Sequence, residues 1–137
     1  MRNMSDKRKW NDWNTRQELS RAGWDVAKQD SIKFNSGSET LAHADLKLVV
    51  SWYLKQQGYR IDTEVEMGNG EVDVLAWTAE DIIVVECESS PTQSVVSDKI
   101  ARYVENEPPR ECWVLTVEDA PQELHNRYKW VAEELGL

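Results

Sequence analysis

The sequence predicts an α/β domain in which a mixed four-stranded sheet is flanked by helices. Three observations lead to this prediction. Two runs of alternating apolar and polar residues, 59–67 and 71–77, are separated by a Gly-Asn-Gly turn, which is the pattern of a β-hairpin. A continuous apolar run at 81–87 is typical of a strand at the centre of a sheet. Segments with helical spacing lie on both sides of these runs.

The front of the chain predicts a basic helical arm. Residues 1–37 carry eight Lys and Arg against five acids, whereas residues 38–137 carry eight against twenty. Within the arm, residues 13–29 predict a helix that Asn14 caps and that Gly23 weakens or ends. We therefore expect residues 1–37 to form an arm that packs on or extends a domain formed by residues 38–137.

A second predicted helix is apolar almost all round. It runs from about Glu39, behind an N-cap at Ser38, and ends at Gly58. A helix of this composition is expected to be buried on more than one side. At 100° per residue, His43 and Lys47 fall on or next to its core-facing stripe.

Four strands are expected to build the sheet. Tyr59–Met67 pairs with Glu71–Trp77 across the turn, and Asp81–Cys87 completes an antiparallel meander. Glu111–Val117 joins the third strand through a right-handed crossover, so these two strands are parallel.

Two further helices complete the prediction. Val95–Glu105 suits a helix in the crossover, between the breaks at Pro91 and Pro108. Pro121–Leu135 suits a C-terminal helix that a following glycine closes.

Composition limits the classes of function. A net charge of −9 and a pI near 4.7 argue against long-range attraction to nucleic acid. An acidic solvated surface, as in halophilic proteins, and a basic arm that reaches a phosphate backbone both remain open. The chain has no apolar run long enough to span a bilayer and no signal-peptide pattern. Cys87 and Cys112 lie in apolar runs, which predicts buried, reduced thiols and a cytoplasmic protein.

Carboxylates occur near the ends of two neighbouring predicted strands. Asp73 lies in the second strand, and Glu86 and Glu88 lie near the end of the third. Because strand side chains alternate, Glu86 and Glu88 point to one side and Cys87 to the other. Hard cations take oxygen ligands. Asp73 and Glu86, with the backbone carbonyl of Cys87, therefore predict a site for Mg²⁺ or Mn²⁺.

Other polar residues are candidates around this site. Glu88 could orient a water, act as a base or hold a second ion, and Glu39 or Glu64 could serve as outer acids. His43 and Lys47 are candidates for catalysis or phosphate contact. Acids at strand ends also occur on solvated edges without any ion, and that interpretation stays open at this point.

The order of elements over residues 38–117 resembles that of the PD-(D/E)XK nuclease superfamily, which has the restriction-endonuclease-like αβββαβ core. The motif residues in this chain are Val72-Asp73 and Glu86-Cys87-Glu88. The spacing of Glu39, His43 and Lys47, together with Ser89 and Ser90 after the acids, is similar to that of the competence-protein CoiA-like branch. The resemblance implies a metal-dependent nuclease that hydrolyses phosphodiester bonds of DNA, with RNA less favoured and a homodimer as the common assembly.

The sequence departs from the superfamily pattern at two positions. Val72 stands where proline is usual, and Glu88 stands where lysine is usual. The second change removes a cation that would stabilise developing negative charge. Lys47 or Lys99 could take its place. The alternative function is a catalytically inactive nuclease-fold protein that binds nucleic acid or acts as a regulatory or assembly module.

Overall fold

The computed structural model describes residues 4–27, 29–35, 39–66, 71–89 and 111–136, and within these ranges the side chains from Trp13 onward. In chain order the elements are α1 (Met4–Arg21), α2 (Leu41–Gln56), β1 (Arg60–Glu66), β2 (Glu71–Trp77), β3 (Ile82–Glu88), β4 (Glu111–Thr116), a 3-10 turn (Val117–Asp119) and α3 (Leu124–Leu135). The predicted α/β class, with a mixed four-stranded sheet flanked by helices, is confirmed.

The sheet has the spatial order β1-β2-β3-β4. β1 and β2 are antiparallel, as are β2 and β3, whereas β4 runs parallel to β3. The predicted meander and the predicted parallel step are therefore both present. The predicted turn at 68–70, the predicted crossover helix at 95–105 and Lys99 lie outside the described residues.

The first helix differs from its prediction at both ends. It spans Met4–Arg21, not 13–29. It stops because Gly23 adopts a φ of +92°, the left-handed conformation with which helices commonly end. The chain beyond is extended, so that Trp24 and Val26 pack as buried residues on one face of the sheet. Burial of these two apolar side chains outweighs the weak helical preference of the segment.

The second helix begins later than predicted. Its N-cap is Thr40, whose hydroxyl oxygen accepts a hydrogen bond from the backbone N–H of His43 at 3.1 Å. Ser38, the predicted cap, lies outside the described residues. Glu39 consequently precedes the helix instead of forming its first turn. Gly58, with a φ of +95°, follows the end of the helix as predicted.

The prediction that α2 is buried on more than one side holds in part, because α2 packs against both the sheet and α3 while its remaining face is open. Leu41, Leu48 and Trp52 are exposed, whereas the opposite face of the helix lies against the sheet. The sheet has an apolar layer on each face. The α2 layer contains residues of α2, α3 and the strands: Leu46, Val49, Val50, Tyr53, Leu54, Ile61, Val74, Ala76, Ile83, Val85, Cys87, Leu115, Val131 and Leu135. The α1 layer contains Leu19, Trp24, Val26, Val65, Val72, Leu75, Trp77, Ile82 and Val84.

The alternation of side chains shifts at one rung of the sheet. Val72 packs in the α1 layer and Val74 in the α2 layer, although residues two apart on a regular strand share a face. In the β1–β2 ladder, Thr63 pairs with Val74 and Val65 pairs with Val72. Glu64 and Asp73, which lie between these pairs, do not form a ladder pair. This irregular rung places two carboxylates where a regular sheet would continue its two apolar layers.

No helix in the described ranges is long and apolar enough to cross a membrane. Cys87 and Cys112 are free thiols, as predicted, although Cys112 is only half-buried. Burial raises the pKa of the Cys87 thiol well above its ordinary value, and the nearby Asp73 and Glu86 raise it further. Cys87 is therefore a neutral core residue.

Candidate metal centre

Three carboxylates meet at one end of the β2–β3 pair. Asp73, Glu86 and Glu88 each place a carboxylate oxygen within 4.8 Å of the other two. Asp73 and Glu86 are 8% and 1% exposed, and Glu88 is half-buried. We call these three residues the acid trio. The trio matches the group that the sequence predicted.

The trio forms where the two strands stop pairing through their backbones. The β2–β3 ladder ends with Val74 opposite Val85. Beyond this pair, the carboxylate Oδ2 of Asp73 accepts the backbone N–H of Cys87 at 2.8 Å. One hydrogen bond thus satisfies a buried amide and fixes the Asp73 carboxylate beside β3.

The donor set of the acid trio fits a hard divalent cation. Three carboxylates within 4.8 Å of one another repel, and two of them are almost completely buried. Burying charge in this way is costly unless an opposite charge compensates it. Carboxylate oxygens are the ligands that Mg²⁺ and Mn²⁺ prefer. The trio could therefore hold such an ion.

A second cluster of charges surrounds Lys47. The side chain of Lys47 is 1% exposed. Its ammonium group donates to both oxygens of Glu39, at 2.8 and 3.1 Å, and to Glu64 Oε1 at 2.8 Å. It also donates to the backbone carbonyl of Lys33 at 2.6 Å. Two carboxylates and one carbonyl match the three donors of an ammonium group.

The ionisation of this Lys47 cluster follows from its contacts. Burial lowers the pKa of Lys47, but the hydrogen bonds to Glu39 and Glu64 outweigh it, so the pKa is raised and the ammonium is charged. Burial raises the pKa of Glu39, yet Lys47, the Asn35 N–H and His43 bring it below its ordinary value. For Glu64, burial and a hydrogen bond with Glu71 raise the pKa to about 7 against the opposing effect of Lys47.

His43 connects the two clusters. Its Nδ1 lies 2.6 Å from Glu39 Oε2, and its Nε2 lies 3.4 Å from Asp73 Oδ2. Burial lowers the pKa of His43, but the charges of Asp73 and Glu39 outweigh this effect and raise it. A continuous path of polar contacts therefore runs from Lys47 through Glu39 and His43 to Asp73 in the acid trio.

Glu64 is held in a strained backbone conformation. Its φ of +51° makes it the one residue other than glycine with positive φ in the described ranges. Such a conformation costs on the order of 1–3 kcal/mol and persists only where the surroundings enforce it. Here it accompanies the irregular rung of the sheet and the ion pair with Lys47.

The structure separates the predicted site residues into two groups. The acid trio is one group, and His43 contacts it directly. Glu39 and Glu64, the predicted outer acids, instead bind Lys47. Because all three donors of Lys47 are engaged, we assign it a positioning role and not a phosphate contact. Ligation by the Cys87 carbonyl stays a prediction.

Sequence reasoning missed Asn35 as a participant. Asn35 donates its backbone N–H to Glu39 at 3.2 Å and its side-chain amide to Glu64 at 3.3 Å. With Ser89 it lines a cavity of about 250 Å³ next to His43. Thr40 and Glu39 complete the lining. Asn35 belongs to no spacing pattern and reaches the site only because its segment runs beside β1.

Replacing His43 with glutamine tests this path of contacts through protein stability. Because the folded-state pKa of His43 is raised above 6.5, its stabilising contribution is complete below pH 6.5 and is lost as the pH rises through the folded-state value. We expect the variant to be less stable than the wild type by about 1–2 kcal/mol near pH ~6 and by clearly less near pH ~9. Urea unfolding in chelator measures the difference. A difference that does not change with pH would contradict the assignment.

No protein-family model, curated protein or solved structure matches this chain. The motif residues and the geometry of the site are therefore the basis for assigning a function.

Proposed function

We propose that the chain is a metal-dependent nuclease that hydrolyses phosphodiester bonds of nucleic acid, with DNA favoured over RNA. The observation that carries this proposal is the convergence of Asp73, Glu86 and Glu88 at the end of the β2–β3 pair. Mg²⁺ or Mn²⁺ is the implied cofactor, held by Asp73 and Glu86. The resemblance to the PD-(D/E)XK superfamily supports the same conclusion, because its acids occupy these two strands.

The three carboxylates have different tasks in this proposal. A bound divalent cation supplies a Lewis acid for the phosphoryl oxygen and an acidified water. Asp73 is fixed by the Cys87 N–H and Glu86 is almost completely buried, so both are suited to hold an ion. Glu88 is more accessible and can accept a proton from the attacking water or hold a second ion.

His43 and Lys47 act on the acid trio in different ways. His43 touches Asp73 and lines the cavity, so it can contact a bound strand as well as orient the carboxylate. Lys47 acts through Glu39, which lies between it and His43. The motif position that usually carries a lysine holds Glu88. No lysine at that position therefore stabilises the negative charge that develops on the phosphate.

One observation favours the alternative, a nuclease-fold protein without turnover that binds nucleic acid or serves as a regulatory or assembly module. Neither lysine nor arginine occurs among the described residues that line the cavity beside the trio. The motif lysine is absent as well, because Glu88 occupies its position. A site of this kind could bind a cation without cutting a strand.

A cleavage assay separates the two functions. We expect the purified protein to cut DNA in Mg²⁺ or Mn²⁺ and to stop when the cation is chelated. Single-stranded and double-stranded DNA and RNA, each at low and high salt, define the substrate form. Salt-sensitive binding without cleavage in either ion would instead establish the inactive module. Activity restricted to high salt would support a halophilic source.

The proposed setting of this activity is the cytoplasm, with nucleic acid as the partner and a homodimer as the assembly. Free thiols at Cys87 and Cys112 support the reducing compartment. A homodimer is implied by the resemblance, since enzymes that cut both strands often pair symmetrically. Sedimentation analysis with and without Mg²⁺ tests the assembly.

A further inference from the structure

A segment before α2, residues 30–35, runs along the outer edge of β1, and we call it the edge segment. Ser31 donates its N–H to the carbonyl of Ile61 at 3.3 Å, and Asp30 Oδ1 accepts the N–H of Ile61 at 3.1 Å. Lys33 donates its N–H to the hydroxyl oxygen of Thr63. These bonds cover the open edge of the sheet and hold the segment in place.

The end of the edge segment is tied to the candidate site itself. The carbonyl of Lys33 accepts from Lys47, and the N–H of Asn35 donates to Glu39. Phe34 lies between these two anchored peptide groups. Its position relative to the acid trio is therefore set by the same contacts that build the Lys47 cluster.

The side chain of Phe34 faces solvent although its backbone is fixed. It is 83% exposed, and Ile32 is also exposed. Lys33, between them, forms an ion pair with the buried Asp62 at 3.1 Å. A single exposed apolar residue is ordinary on a protein surface. Phe34 differs from an ordinary exposed residue because its backbone is anchored on both sides and it directly precedes Asn35, which lines the cavity beside the trio.

The charges of the site limit how a nucleic acid could bind there. The chain carries a net charge of −9. In the described part of the site, Lys47 is committed to Glu39 and Glu64, and Lys33 is committed to Asp62. Within the described residues of the site, attraction to phosphates therefore depends on a cation held by the trio. Binding then needs a contribution that does not depend on charge.

Stacking of a base on an aromatic ring is such a contribution. Every base has a π-face, and stacking on one aromatic side chain is worth about 1–3 kcal/mol per base. The faces of bases inside a duplex are already covered by their neighbours, so only an unpaired base can stack on the ring. The hydroxyl groups of Thr40 and Ser89 in the adjoining cavity are suited to the sugar-phosphate backbone of the same strand.

We propose that Phe34 is a stacking platform for an unpaired base and that the preferred ligand is single-stranded nucleic acid. The base lies on the Phe34 ring, and the strand continues past the cavity towards the acid trio. The claim that the bound strand is also cut rests on the proposed nuclease function, whereas the claim that it binds at Phe34 does not. The two claims can therefore be refuted separately.

Fluorescence anisotropy with short labelled oligonucleotides tests the proposal. A single-stranded oligo-deoxythymidylate and a blunt duplex of equal length are titrated with wild-type protein in Ca²⁺ and in chelator. We expect the single strand to bind more tightly than the duplex. Replacement of Phe34 with leucine, which keeps an apolar side chain but removes the ring, should weaken single-strand binding roughly 5- to 100-fold. Phe34→Trp should retain or strengthen it.

Trp52→Leu is the matched control, because Trp52 is an exposed aromatic residue on the α2–α3 groove with Leu48 and Leu124. It should leave the single-strand affinity unchanged. Thermal unfolding of each variant verifies that the fold is intact. Equal affinity of the wild type and Phe34→Leu for the single strand would overturn the proposal, as would tighter binding of the duplex or no binding at all. Equal affinity of the two proteins is also the result expected if Phe34 binds an apolar protein partner instead of a base.

The cleavage assay stays independent of this test. Single-strand binding that weakens in Phe34→Leu, without any cleavage, would support the stacking platform and remove the nuclease. Cleavage of duplex DNA that is equally fast in the wild type and Phe34→Leu would support the nuclease and overturn the stacking platform.

Discussion

Replacing Asp73 with asparagine is expected to abolish metal-dependent cleavage and the stabilisation of the protein by divalent cations. Asparagine keeps the size of the side chain and an oxygen that can accept the N–H of Cys87, so the fold should persist. It removes one of the three charges of the acid trio. Changes to groups one step away from a metal already cost roughly 10- to 100-fold in affinity, and loss of a ligand should cost at least as much.

Two measurements check the Asp73→Asn prediction. Isothermal titration with Mn²⁺ reports the affinity, and thermal unfolding with and without Mg²⁺ reports the stabilisation that binding confers. In chelator, we expect the variant to be as stable as the wild type or more stable, because one member of a repelling trio is neutral. Glu86→Gln should behave in the same way.

Glu133→Gln is the control for the acid trio, since Glu133 is exposed on α3 and the substitution makes the same change of charge. It should alter neither the Mn²⁺ affinity nor the stabilisation. A cation effect on the melting temperature that survives Asp73→Asn would remove the metal centre from the proposal. Asp73→Asn could abolish Mn²⁺ binding while neither the wild type nor the variant cleaves nucleic acid. That result would support the metal centre and reject the nuclease function.

Replacing Lys47 with methionine is expected to give the largest loss of stability among the site residues. The change leaves Glu39 and Glu64 buried without their shared cation. Removing one partner of a buried charge pair costs on the order of 3–5 kcal/mol. Urea unfolding above pH ~7, the pKa of Glu64, measures this loss with both carboxylates ionised in the wild type. The loss should shrink as the pH falls through the range in which the two carboxylates become protonated, because protonation removes the uncompensated charge.

A second lysine of α2 provides the control for Lys47. Lys55 pairs with Asp30 at a site where the lysine is about half exposed, so Lys55→Met should cost less than about 1 kcal/mol. Combining Lys47→Met with Glu64→Gln should recover part of the loss, because one buried carboxylate becomes neutral. Equal costs for the two lysines would contradict the assignment of Lys47 to the buried cluster.

This double variant also separates positioning from catalysis. A lysine that acts through Glu39 and Glu64 can be replaced in part by neutralising one of its partners. A lysine that touches the phosphate cannot be replaced in this way. A loss of cleavage activity in Lys47→Met that the double variant recovers would therefore support the positioning role that the geometry assigns to Lys47.

The strands and the acid trio could be predicted from sequence because their signals are local. Alternation located β1 and β2, a continuous apolar run located β3, and the spacing of Glu86 and Glu88 placed both carboxylates on one side. Asp73 needed one further step, the pairing of β2 with β3, which the short turn between these strands predicts. These predictions depend on neighbours along the chain or on adjacent strands.

The helix boundaries and the burial of α2 could not be predicted with the same success. The first helix was expected at 13–29, but Trp24 and Val26 leave the helix to pack on the sheet. The exposed face of α2 carries Leu41, Leu48 and Trp52, so its apolar composition overstated its burial. In both cases, contacts between distant segments decided the result, and local propensity is too weak to reveal them.

Local patterns along the chain are sufficient to predict a mixed sheet with three acids at the end of its central strands. Periodicity and spacing carry that information because side chains on strands alternate. The contacts of Lys47, in contrast, depend on how distant segments pack in the folded protein. Its ammonium group meets Glu39, Glu64 and the Lys33 carbonyl because the edge segment and the irregular rung at Glu64 bring them together. The partners of a buried charge come from segments that are distant in the sequence, so sequence spacing does not predict them.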